Sequence, residues 1–368
     1  MWSSRRLAVV LVVGVAIAGA AIGLVLARRD SSTPSIGMGG HPLSVASTHD
    51  LGPLQHPQGP IGDGGESGRI GTEEVWLFGD TFLTHRANNG LSYRTNIGGN
   101  ASPAQPFVLS ESLESGSGEP VQLVPFSAEE QAYNNAKNSP SERVALWPAS
   151  IVQGSDGNGY LYFIDLYVHP GMLNYQGRGI GIARLRPGSL VAERIGDRLF
   201  STTEPGFGTS AFVDHGFVYS YACDVPSFDV HCKTARVPLD QIASRTAYTF
   251  WNGTTWTADV SAAATSVPGT TTGFSVAWNP YLNAYLSVYS EPLGDRILAR
   301  TAPAPQGPWS SNPTVLFTGL STPKGAWDYI GVQHASLASA NGQHIIVSYS
   351  HPTGAFTGEI RLTEVDLG

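Results

Sequence analysis

Cysteine is almost absent: the 368 residues contain only Cys223 and Cys232. That excludes a cysteine-rich scaffold, and it excludes a thiolate metal centre of the usual kind. Such a centre usually takes about four Cys and His ligands, and the stretch from Cys223 to Cys232 adds only His231 to the two cysteines. No metal and no cofactor are therefore expected. Lying nine positions apart, the two cysteines suit a small disulfide loop in an oxidising compartment.

Nucleophile systems are missing too. There is no G-x-S-x-G elbow and no H-E-x-x-H signature. The glycine-rich GRGIGIA at 177–183 runs into a strand pattern and not a helix, so it offers no phosphate cradle. SDGNG at 155–159 begins like a calcium loop but lacks the distal glutamate, and it reads as a hairpin turn. Charge is scarce, at 14% of residues, and no basic run occurs. Without the first 29 residues, which hold four arginines and no acid, 17 basic residues face 29 acidic ones, a net charge of −12. An acidic body of this kind excludes nucleic acid and anionic surfaces as natural partners.

The chain has one long apolar run, from Leu7 to Ala27, flanked by Arg5–Arg6 and Arg28–Arg29. At about 1.5 Å per residue it matches the roughly 30 Å hydrocarbon layer. A cleaved signal peptide carries a shorter apolar stretch, about 7–15 residues, and a clear cleavage site. Residues 1–29 are thus expected to form a signal-anchor helix in the cytoplasmic membrane, with a cleaved export signal as the alternative. Either places the body outside the cytoplasm, membrane-anchored or secreted. Residues 30–42 read as a Ser/Pro/Gly linker, and 43–368 as the folded domain.

Abundant turn residues, 43 Gly and 25 Pro, argue against a helical protein and for a turn-rich all-β one. Short segments rich in β-branched and aromatic residues recur: EVWLFGDT (74–81), GYLYFIDLYV (159–168), AFVDHGFVYSYA (211–222), AYLSVYS (284–290) and EIRLTEVDL (359–367). Hairpin chemistry joins several of them, as in SDGNGY (155–160), WNPYLNAY (278–285) and SANGQH (339–344). Helix signals are few: SAEEQAYNNAK (127–137) opens with a Ser127…Glu130 capping box, and LDQIAS (239–244) adds a turn or two. So many strands over about 320 residues exceed one sandwich. Five divergent blades of a β-propeller fit the length, with two all-β domains as the rival. No strict repeat marks the blades; WNGTTW (251–256) resembles an Asp-box but lacks its aspartate.

Carboxylates are the remaining source of chemistry. GDGGESGRIGTEEVWLFGDTF (62–82) sets Asp63 and Asp80 on either side of a short apolar strand, each beside glycine. One intervening hairpin would bring both to the same end of a sheet. Two such groups are what glycosidic hydrolysis requires, one to protonate the leaving oxygen and one to attack or to activate water. Spacing alone also admits a purely local role, Asp63 in an Asx-turn and Asp80 at a strand end. Aromatic rings could stack on sugar faces, and Trp147 in LWPAS and Trp327 in AWDYIG have the most loop-like settings. Arg94 and Asn96 in YRTNI, Asp165, Asp224, Glu291 and His334 in VQHAS are further polar residues near strand ends. Among them Arg94, Asn96, Asp165 and His334, with the two tryptophans, are candidate substrate-binding residues.

Read in order, GDGGESG…EEVWLFGDTFL, RTN, LWPAS, FVYSYACD, GFSVAWNPYLNAYLSVYSE, ARTAPAPQGPWS and YIGVQHASL…IIVSYS resemble the bacterial domain-of-unknown-function family 4185 over roughly residues 43–367. WLFGDT and A-x-x-P-x-G-P-W are the most specific of these pieces. The resemblance implies a five-bladed β-propeller akin to furanosidase propellers. Some members are assigned to glycoside hydrolase family 183, endo-acting D-arabinanases of mycobacterial cell-wall arabinan, and the family's acidic positions fall on Asp63 and Asp80. A monomeric enzyme acting on a furanose-containing polysaccharide is the expectation, and a non-catalytic propeller binding cell-wall glycan or a surface protein is the alternative.

Overall fold

The structure, a computed structural model, describes residues 40–57, 62–171, 174–223, 230–271, 273–354 and 357–368. The expected anchor helix and most of the linker lie outside these residues, as does Asp224. Among the described residues no helix is long and apolar enough to cross a membrane.

Five antiparallel sheets follow one another along the chain as the blades of a propeller. The first runs outward through Gly64–Ile70, Glu73–Phe78, Ile97–Ser102 and Gln105–Glu111. The second uses Arg143–Gln153, Gly159–Val168, Tyr175–Leu185 and Glu193–Arg194. The third begins Ser210–Asp214, Phe217–Cys223, Val230–Pro238 and ends in short outer strands, among them Thr249–Trp251 and Trp256–Thr257. The fourth is Phe274–Asn279, Ala284–Ser290, Arg296–Ala302 and Thr314–Thr318. In the fifth, Tyr329–Gln333, His344–Gly354 and Thr357–Leu367 are completed by Val45–Pro53 from the start of the domain. That last pairing closes the ring and rules out two separate all-β domains.

The strand sequences explain why the sheets stack around an axis. Glu73–Phe78 is buried almost throughout and does not alternate with polar residues. Successive side chains of a strand point to opposite faces, and here both faces are covered. Val75 and Leu77 pack with Val144, Leu146 and Phe163 of the second blade, whereas Trp76 and Phe78 pack with Ile346, Ile360 and Leu362 of the fifth. Similar apolar seams join the second blade to the third, the third to the fourth, and the fourth to the fifth. Each fully buried Leu, Ile or Val in such a seam contributes roughly 1.5–3 kcal/mol.

Local signals were obeyed. The helix is Ala128–Lys137, capped by Ser127 with the reciprocal Glu130 bond. The expected hairpin turns contain Gly157, Asn283 and Asn341 at positive φ. LDQIAS supplies only a single 3-10 turn, Leu239–Gln241. Cys223 and Cys232 face each other across the third blade's ladder and form the disulfide.

Candidate active site

The two aspartates lie close enough for their charges to interact. Asp63 immediately precedes the innermost strand of the first blade, and Asp80 follows the next strand out. The backbone between them is drawn tight, with the Gly79 N–H donating to the Asp63 carbonyl at 2.7 Å. A side chain at Gly79 would be impossible without movement, because its Cβ would lie 2.7 Å from Asp63 Oδ1. On the other side of Asp63, Gly64 and Gly65 adopt φ of 116° and 96°, values that L side chains rarely take. They form an irregularity in the ladder between Gly64 and Glu66. The glycine-rich sequence around Asp63 therefore allows the chain to bend sharply where the carboxylate is presented.

Neighbouring blades supply the partners. Arg143, first residue of the second blade's innermost strand, forms an ion pair with Asp80 Oδ2. Its guanidinium lies 5.6 Å from the centre of the Tyr93 ring. Tyr329, first residue of the fifth blade's innermost strand, donates its phenolic O–H to Asp63 Oδ2 at 3.4 Å. Ser350 of the same blade accepts the Gly64 N–H at 3.2 Å and donates to the Gly64 carbonyl at 3.3 Å. The starts of three innermost strands thus converge on one carboxylate pair.

A third carboxylate belongs to the group. Glu66 lies two residues into the innermost strand, its Oε2 3.3 Å from where a Cβ on Gly64 would stand. Asp63, Glu66 and Asp80 all keep partial exposure to solvent while being densely surrounded by protein. Burial raises the Asp63 carboxyl to about 7, reinforced by the charge of Asp80 and opposed by Tyr329 and Arg143. Burial raises Glu66 to about 8, with Asp63 adding to it. Burial also raises Asp80, but the Arg143 charge and the Trp147 indole pull against that rise. Asp80 Oδ1 and Trp147 Nε1 have no partner of normal hydrogen-bond geometry, so the indole acts on the carboxylate from beyond that range. Asp63 and Glu66 hold protons near neutrality, and Asp80 has an adjacent cation to favour its ionised form.

The other residues singled out in the sequence have varied placements. Trp147 is half-buried on the strand that Arg143 opens, and its ring meets Tyr175 edge-on at 5.8 Å. Trp327 is half-buried, two residues before Tyr329. Arg94 is buried, with Nε on the Pro120 carbonyl at 2.8 Å and Nη2 on Glu114 at 2.5 Å. Asn96 donates to the Leu146 carbonyl at 2.8 Å and accepts from the Val124 N–H at 2.6 Å, bracing the seam between the first two blades. Asp165 is fully buried between Arg178 and Arg198. His334 is buried between Ser67 Oγ at 2.7 Å and Ser348 Oγ at 2.8 Å, with its ring 4.4 Å from that of Trp76. Glu291 is paired with Arg296. Arg94, Asn96, Asp165 and His334 thus have their polar groups engaged by protein, and no contact with the carboxylate pair is seen for any of them.

Sequence reasoning missed Glu66, Arg143 and Ser350. Glu66 stands inside the same glycine-rich stretch as Asp63, which was its only signal. Among the described residues no group of three His, Cys, Asp or Glu side chains is arranged to hold a metal ion.

The fold and this site define a five-bladed β-propeller with a cluster of acids where innermost strands begin. Several solved structures share the fold. A Bacteroides ovatus protein assigned as a hydrolase superposes with a TM-score of 0.61 at 15% identity, covering 86% of this chain and 87% of that one. A family 117 glycoside hydrolase of the marine bacterium Zobellia galactanivorans gives 0.51 at 10% identity, over 87% and 90%. The catalytic domain of a GH62 alpha-L-arabinofuranosidase of Coprinopsis cinerea gives 0.50 at 12% identity, over 88% and 97%. No curated protein matches the sequence. Residues 186–357 match the family described as domain of unknown function DUF4185, the family the sequence resembles.

Proposed function

We propose that the protein is a glycoside hydrolase acting outside the cytoplasm on a furanose-containing cell-wall polysaccharide, D-arabinan by preference and by internal cleavage. The observation that carries this reading is the pairing of Asp63 with Asp80 in unequal surroundings. Groups whose environments separate their protonation behaviour serve as acid and base in one site. Asp63 has its proton near neutral pH and gives it to the glycosidic oxygen as the C–O bond breaks. Asp80, beside Arg143, presents a carboxylate to the anomeric carbon or to the water that attacks it. Half-buried Trp147, whose ring neighbours Asp80, offers a stacking face for a sugar ring.

The likeness to glycoside hydrolases of several families supports this reading, as does the resemblance to the family with D-arabinanase members. The formed disulfide fits an oxidising compartment. Anchoring as a monomer through residues 7–27 is part of the same proposal, since a polymer of the cell wall has to be met outside the membrane.

The test is incubation of the full-length protein with arabinogalactan, followed by chromatography of released oligosaccharides. Asp63→Asn and Asp80→Asn are each expected to lower release at least a thousandfold, about 4 kcal/mol of transition-state stabilisation. Release at the wild-type rate from both variants would remove the pair from the chemistry. Retention on immobilised arabinogalactan without any release would mark a glycan-binding propeller in place of an enzyme.

A further inference from the structure

Asp63 stands at the seam between the fifth blade and the first. The chain enters the first blade's innermost strand from Val45–Pro53, the outermost strand of the fifth blade, so the innermost strands of the two blades meet only through side-chain and backbone contacts. Two residues of the fifth blade grip the first at this point. Ser350 holds the Gly64 backbone through both its N–H and its carbonyl, and Ser348 donates to the Gly65 carbonyl at 3.1 Å. Tyr329, directly opposite Ser350 in the ladder, reaches Asp63 itself.

Tyr329 arrives there through an irregular backbone. The ladder pairs Tyr329 with Ser350 and next pairs Val332 with Ser348, so Ile330 and Gly331 together span one position. Ile330 has φ of 53°, which is a genuine outlier for a β-branched residue. Such strain persists only where the surroundings enforce it. Here the fourth blade does so: the Gly331 N–H donates to Ser290 Oγ at 2.9 Å, and the Ile330 side chain covers Gly273, where a Cβ would stand 2.9 Å from Ile330 Cγ1. Because side chains alternate along a strand, one extra residue decides which face Tyr329 occupies relative to the rest of its strand.

We propose that Tyr329 is the positioning residue of Asp63, delivered by the Ile330–Gly331 bulge to fix the carboxyl's orientation across the seam between the fifth and first blades. Its phenol donates to the carboxylate and favours the ionised form. The other charged or titratable groups that act on Asp63 are Asp80 and Arg143, with Glu66 on its own strand. Asp80 opposes ionisation and Arg143 assists it, so loss of the phenol leaves burial and Asp80 less opposed. The Asp63 proton is then released at higher pH.

The kinetic part of this inference rests on the glycosidase reading; the orientation of Asp63 does not. The experiment is a carbon-13 titration of the aspartate carboxyls in the full-length protein, with the Asp63 signal assigned by its loss in Asp63→Asn. In Tyr329→Phe the Asp63 titration is expected to move up by about one pH unit, and in Ser350→Ala by a smaller step in the same direction. Circular dichroism and the thermal midpoint establish that each variant is folded, and the second variant serves if the first is not. If arabinan is cleaved, the matching limb of the pH–rate profile moves with the titration, and kcat falls about tenfold while KM changes less than threefold. A moved titration without cleavage by the wild type upholds the positioning role and defeats the glycosidase reading. An unmoved Asp63 titration in folded variants overturns the positioning role, whatever the activity.

Discussion

Arg143 and Asp80 form an ion pair across the seam between the first and second blades, joining the first residue of the second blade's innermost strand to the loop that follows the first blade's second strand. The arginine side chain is 6% exposed and the aspartate 15%. Arg143 therefore has two consequences in one contact: it ties two blades together, and it favours the charge of a candidate catalytic group.

Removal of that guanidinium is expected to show both. Arg143→Met leaves Asp80 with the burial that raises its pKa and without the largest opposing influence. Breaking a buried pair from one side costs about 3–5 kcal/mol; with Asp80 partly exposed, about 3 kcal/mol is expected. Arabinan cleavage at neutral pH should fall at least tenfold and recover in part as pH rises. Urea midpoints and a pH–rate profile measure the two effects, and an unshifted profile would separate Arg143 from the chemistry.

Gly79→Ala tests the close approach at Asp63. The added methyl would stand 2.7 Å from Asp63 Oδ1 and 3.6 Å from the Asp63 carbonyl. The side chain is the softer neighbour, so the carboxyl should be displaced while the strands stay paired. Activity is expected to fall a hundredfold or more, with a stability loss of about 1–2 kcal/mol. The comparison of kcat/KM with the thermal midpoint decides it.

Glu66 makes the protein less stable as pH rises. Its folded carboxyl titrates near 8, and its unfolded value is 4.5. Between those values the native state holds a proton that the unfolded chain has released, so stability falls through this window. Glu66→Gln should be neutral near pH 4 and stabilising at pH 8, by on the order of 2 kcal/mol after allowance for partial exposure. Thermal midpoints across this range would show the difference growing with pH; a constant difference would contradict the burial argument.

His334 acts at the other end of the scale. Burial lowers it to about 3 from an ordinary 6.5. Below pH 6.5 the unfolded chain gains a proton that the native state refuses, so stability falls as pH drops from 6.5 toward 3, by about 1.4 kcal/mol per unit. His334→Gln should lower stability at neutral pH, because the contacts with Ser67, Ser348 and Trp76 are disturbed. It should also flatten the acid limb of a stability-versus-pH curve. Unchanged steepness in that variant would assign the acid sensitivity to other groups.

Much of the fold could be read along the chain because its signals are local. Turn residues tolerate positive φ wherever they occur, and the Ser127–Glu130 box sits within four residues. Strands covered on both faces, such as Glu73–Phe78, show as dense apolar runs. Arg94 and Asn96 were harder, since a polar residue near a strand end looks the same whether it faces a cleft or a buried carbonyl. Here Pro120, Val124 and Leu146 absorb their hydrogen-bonding groups. Local sequence could not announce those partners, because they come from other parts of the chain.

The sequence by itself determined the all-β character and the cysteine pair, and it set Asp63 and Asp80 one hairpin apart, where they could meet or serve separate local roles. Only the tertiary structure decided their surroundings. Arg143 comes from 63 residues beyond Asp80 and Tyr329 from 266 residues beyond Asp63. Both reach the pair because closing the ring places the starts of separate innermost strands side by side. Protonation depends on burial and on charges within a few ångströms, and those neighbours exist only once the blades have assembled.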